Sequence, residues 1–142
     1  MQTAQRGPFV LLQSWITEDV RSAPLPRTIC YLRNASLVVT LTALSFAIYE
    51  TTLASADRLA WVLHLVALCL MSLVGAVRLQ TGVILVSGVL CCLSGACWTP
   101  YMVFVLDGDR WLYLTGLALF FVFAGLLNVV LFTQLSLELA QR

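Results

Sequence analysis

The sequence predicts an all-α integral membrane protein, a four-helix transmembrane bundle preceded by an N-terminal amphipathic interfacial helix. Three observations lead there. Of 142 residues, 61% are hydrophobic and 11% charged, with a mean hydropathy of +0.94. A water-soluble domain carries about 45–50% apolar and about 25% charged residues, so too little polar surface remains here to cover a globule in water. Four apolar stretches have the roughly 20 residues a helix needs to cross about 30 Å of hydrocarbon. The breaks between them are only a few residues long, which makes consecutive helices antiparallel neighbours and leaves no room for an extramembrane domain.

Residues 1–34 form the lead-in. Phe9, Leu12, Trp15, Ile16 and Val20 recur at three- and four-residue steps, with Gln13, Ser14, Glu18 and Asp19 between them. This is the pattern of an amphipathic helix, opened by Pro8 in its first turn. It is too short and too polar to span, and is expected to lie in the interface with Trp15 at headgroup depth. Residues 9–12 are too short for the apolar core of a cleaved signal. Pro24-Leu25-Pro26 then breaks the helix before the chain turns into the membrane.

The first span is expected over 35–54, after Arg33 and before Asp57-Arg58. The second covers 59–77 and stops at Arg78, and the third covers 81–105, ahead of Asp107-Gly108-Asp109-Arg110. The fourth covers 111–135, and 138–142 form a short tail. With the N-terminus on side one, that side holds Arg6, Arg21, Arg27, Arg33, Arg78 and Arg142. Side two holds only Arg58 and Arg110, offset by Asp57, Asp107 and Asp109. The positive-inside rule therefore predicts both termini in the cytoplasm. Tyr49, Trp61, Trp98, Tyr101, Trp111 and Tyr113 cluster at the helix ends facing side two. That is the depth at which an aromatic ring and its polar tip are satisfied together. On this topology the sequon Asn34-Ala35-Ser36 reads as chance.

Ionisable side chains at membrane depth are functional hypotheses by default. Glu50 and His64 each lie seven residues from Asp57, on either side of the first hairpin turn. Both should sit about 10 Å along their helices from that turn. They form a candidate intramembrane pair, either proton-responsive or a polar clip locking the hairpin. Ser87-Gly88 recurs as Ser94-Gly95 seven residues later, with Cys91 and Cys92 between. Two helical turns apart, Gly88 and Gly95 share a face where another backbone can approach closely, inside the bundle or on a partner helix. Pro100 should kink the third span, and with Trp98 and Tyr101 shape a shallow cavity on side two. Asn128 is expected to make an interhelical hydrogen bond. Thr40, Thr42, Ser45 and Ser72 offer further polar contacts or bonds back to their own helices.

The net charge of +1 leaves no electrostatic footprint for nucleic acid. The five cysteines lie within or beside apolar segments and have no His or acidic neighbours at zinc spacing, so they read as packing residues rather than metal ligands. A single histidine cannot supply the bis-histidine ligation of a membrane haem. No phosphate loop, HExxH or CxxC occurs; neither a cofactor nor catalysis is expected. Beyond the lipid bilayer, the expected partner is a larger membrane protein or further copies of this chain. The preferred expectation is an accessory or scaffold subunit that supports assembly, trafficking or gating. The alternatives are a small oligomeric channel or transporter using Glu50 and His64, and a lipid-binding or lipid-modifying protein.

Overall fold

The computed structural model describes residues 24–105 and 110–141. They form four helices: α1 (Arg27–Leu53), α2 (Ala56–Arg78), α3 (Thr81–Val105) and α4 (Trp111–Gln141). Each contains a stretch long and apolar enough to cross a membrane, and no strand occurs among the described residues. The amphipathic helix expected over residues 9–20 lies outside the described residues.

Helix α1 starts at Arg27, ahead of the expected 35. The chain becomes helical as soon as the Pro24-Leu25-Pro26 break ends, and the Pro26 carbonyl accepts the Ile29 and Cys30 amides at 3.1 and 3.2 Å. Asn34 of the sequon is consequently helical. Helix α4 runs on past 135 to Gln141, so the short tail continues the helix. Helix α3 passes through Pro100 and ends at Val105, as the apolar pattern predicts.

Two tight turns set the antiparallel order. Ala54-Ser55 joins α1 to α2, with the Ser55 carbonyl accepting the Arg58 and Leu59 amides. Leu79-Gln80 joins α2 to α3. Leu79 is the only non-glycine with positive φ among the described residues, at φ 53° and ψ 37°. The Gln80 amide reaches back to the Gly75 carbonyl at 3.1 Å, the long bond of a Schellman cap, which usually places glycine at this position. A leucine there costs about 1–2 kcal/mol in backbone sterics. It is retained because its side chain is buried against Ile29, Ile84, Leu131 and Leu135, the cluster that closes the bundle on side one.

The helices form a ring in chain order, and α1 closes it against α4. The α3–α4 pair is the most extensive contact. It is built from small residues. A Cβ placed on Gly95 would lie 2.6 Å from the Ala118 carbonyl oxygen and 2.7 Å from Val122 Cγ2. One on Gly125 would lie 2.6 Å from both the Gly88 carbonyl oxygen and Cys92 Sγ. The two backbones therefore touch where Gly88 and Gly95 face Gly125 and Ala118, gaining dispersion contact along two turns. The middle of the core joins Ala43 and Ala47 of α1 to Leu68 of α2 and Phe121 of α4.

The outer faces are as apolar as the interior. Val38, Leu63, Leu70, Leu93, Leu119 and Leu126 are all more than half exposed or close to it. A soluble monomer rarely exposes contiguous apolar patches beyond a few hundred Å². Here all four helices present such surface along their lengths. A lipid bilayer is the solvent that fits.

Candidate functional site

Near the core, every helix contributes one residue to a buried polar chain. Ser36 Oγ of α1 donates to Asn128 Oδ1 of α4, and Asn128 Nδ2 donates to Ser72 Oγ of α2 at 3.1 Å. Ser72 Oγ in turn lies 3.8 Å from Cys91 Sγ of α3. None of the four is more than 2% exposed. Asn128 is suited to the centre because its amide carries both an acceptor and donors. The amide expected to bridge helices thus bridges three, and Cys91 extends the chain to the fourth. Thr42 and Ser45, by contrast, bond back to the Val38 and Leu41 carbonyls of their own helix.

On side two, Glu50 is 7% exposed although it carries a carboxylate. Arg110, just ahead of α4, donates through Nη2 to Glu50 Oε1 at 2.7 Å. The same guanidinium sits 5.8 Å from the Tyr113 ring centroid, within the range of a cation–π contact. Tyr113 also meets Phe46 of α1 edge-on, at 6.3 Å between centroids. The ion pair and the aromatic contact together tie the end of α1 to the start of α4.

His64 takes a different partner. Its Nε2 lies 3.1 Å from Ser94 Oγ of α3, and its ring is 5.7 Å from that of Trp61. Trp61 stacks on Trp98 at 4.9 Å, the rings 12° from parallel, and Trp98 meets Tyr101 at 6.3 Å and 47°. Beside this aromatic run a cleft of about 350 Å³ opens between α2 and α3, lined by Arg58, Trp61, Cys97, Trp98 and Tyr101.

The candidate residues therefore separate into three groups. Glu50 and His64, expected as a pair, bind Arg110 and Ser94 respectively. The small-residue face of α3 is occupied by α4: Gly88 and Gly95 meet that helix, Cys92 Sγ donates to the Val122 carbonyl at 3.6 Å, and Ser87 Oγ bonds to the Ile84 carbonyl within α3. Of the expected aromatic belt, Tyr49, Tyr101 and Trp111 are about half exposed, while Trp98 is buried at 7% because it packs against Leu114 and Ala118 of α4 and stacks on Trp61. Arg110 was missed as a functional residue. The available signal was its position, one residue before the fourth span and on the side of the membrane where Glu50 ends the first. Ala118 and Gly125 were also missed, although their seven-residue spacing matches that of Gly88 and Gly95.

Among the described residues, no three His, Cys, Asp or Glu side chains gather as a metal site, and the five cysteines are free thiols. The fold and these contacts define an α-helical multi-pass membrane protein with a polar chain inside and an aromatic cleft at one end. No family model matches the chain, and no match emerges among the curated proteins or the solved structures.

Proposed function

We propose that this chain is a non-catalytic subunit that packs laterally against a larger membrane protein and supports its assembly, trafficking or gating. In this reading both termini face the cytoplasm, as the arginine distribution predicts. The face of Gly88 and Gly95 is not free to receive a partner, because α4 fills it. The observation that carries it lies instead on α2. Ala60, His64 and Ala67 are exposed at positions i, i+4 and i+7 of that helix, and so share one outer face. Ser94 satisfies one ring nitrogen of His64, but the rest of the imidazole is exposed on this face. That exposure is costly in lipid, and flanking alanines let a foreign helix approach closely enough to cover it.

Affinity purification in a mild detergent tests this reading. The wild-type chain is expected to retain one larger integral membrane protein at a fixed ratio. The Ala60→Leu/Ala67→Leu variant should lose that protein while eluting from a sizing column as the wild type does. Recovery of the wild-type chain alone, or only with copies of itself, contradicts the proposal.

A further inference from the structure

The cleft between α2 and α3 is not used by the lateral-docking reading, and its chemistry is specific. At about 350 Å³ it falls within the range of small-ligand pockets, which are mostly apolar with a few placed polar groups. Its lining has two parts. One is the guanidinium of Arg58, whose planar set of donors matches phosphate oxygens. The other is the aromatic corner made by the Trp61–Trp98 stack and the tilted Tyr101 ring.

Ring chemistry narrows the guest further. A zwitterionic headgroup joins its phosphate to a cation, and a quaternary ammonium is the cation that aromatic corners hold best. The depth is also right, since Trp and Tyr at a helix end mark the headgroup region. We infer that the cleft binds a single choline phospholipid from the bilayer, with its phosphate at Arg58 and its trimethylammonium group against Trp98 and Tyr101. This inference stands independently of any protein partner.

Cys97 lines the cleft and is exposed, which makes it a native reporter. The full chain is purified in an uncharged maltoside detergent, and the maleimide reaction of each cysteine is followed by site-resolved mass spectrometry. Dioleoylphosphatidylcholine is expected to slow the reaction at Cys97 saturably, by fivefold or more on the order of a single-site occupancy. Dioleoylphosphatidylglycerol should not, and half-buried Cys30 at the opposite end should respond to neither. Tyr101→Leu should raise the half-saturating concentration of the choline lipid about tenfold, the loss of one cation–π face, while Tyr101→Phe keeps it. Absence of saturable protection in the wild type overturns the proposal. So does equal protection by the glycerol lipid, or an unchanged response in Tyr101→Leu.

Discussion

Gly95→Ala is expected to destabilise the bundle by about 1–3 kcal/mol, the usual penalty for forcing a methyl group into a filled core. Its Cβ would stand 2.6 Å from the Ala118 carbonyl oxygen, with Val122 Cγ2 at 2.7 Å and Val122 N at 3.0 Å. A flexible side chain could swing aside, but two of these three atoms belong to backbone. Relief therefore requires α3 and α4 to separate, which weakens the largest helix–helix contact along its whole length. Gly125→Ala should behave alike, because it meets the Gly88 carbonyl from the other helix. Gly116→Ala is the control. Nothing lies within 4 Å of its Cβ, and alanine is the better helix former by about 1 kcal/mol, so stability should hold or rise. Reversible unfolding in mixed micelles, read by circular dichroism, separates the three variants.

Asn128→Leu is expected to cost about 1–3 kcal/mol. The branching of the side-chain skeleton is kept, but the Ser36 and Ser72 hydroxyls lose their common partner while remaining 1% exposed. A hydrogen bond between membrane helices is worth about 0.6 kcal/mol on average, up to about 1.7, whereas a buried polar group left unpaired costs about 1–3 kcal/mol. The second effect decides the outcome, and it makes the changes non-additive. Adding Ser36→Ala and Ser72→Ala to Asn128→Leu removes the orphaned groups and should recover much of the loss. The same unfolding measurement on the single, double and triple variants reads this directly. If the triple variant is less stable than Asn128→Leu by the sum of two further losses, the three residues do not act as one chain.

The sequence was most legible where one strong effect decides the answer. Hydrocarbon tolerates long apolar helices and penalises charge, so four spans and their order follow from where arginine and aspartate interrupt the apolar runs. Helix ends were less legible. The continuation of α4 through Glu138 was expected from its polar last turn, but the start of α1 at Arg27 was not. Helical backbone bonding begins right after Pro26, which a count of apolar residues does not register. Side-chain pairing was least legible. Equal distance from a turn puts Glu50 and His64 at similar depth, but depth says nothing about rotation around each helix. That rotation is fixed by the tight α3–α4 contact and by the ring closing through α1 and α4, and it turns Glu50 toward Arg110 and His64 toward Ser94. The face on α3 was visible in its glycines, yet what covers it was written in Ala118 and Gly125 of α4, a match that emerges only when the two segments are set antiparallel.

Single cysteines at Ser55, Gln80 and Gln141, in a chain whose native cysteines are replaced by alanine or serine, provide the most direct measurement. A membrane-impermeant maleimide is applied to sealed vesicles, then to the same vesicles after opening. Ser55 should react from one side of the membrane, and Gln80 and Gln141 only from the other, because each turn marks a crossing. Reaction of Ser55 and Gln80 from the same side, or a chain that remains dispersed in buffer without detergent, would contradict a bundle that crosses the bilayer four times.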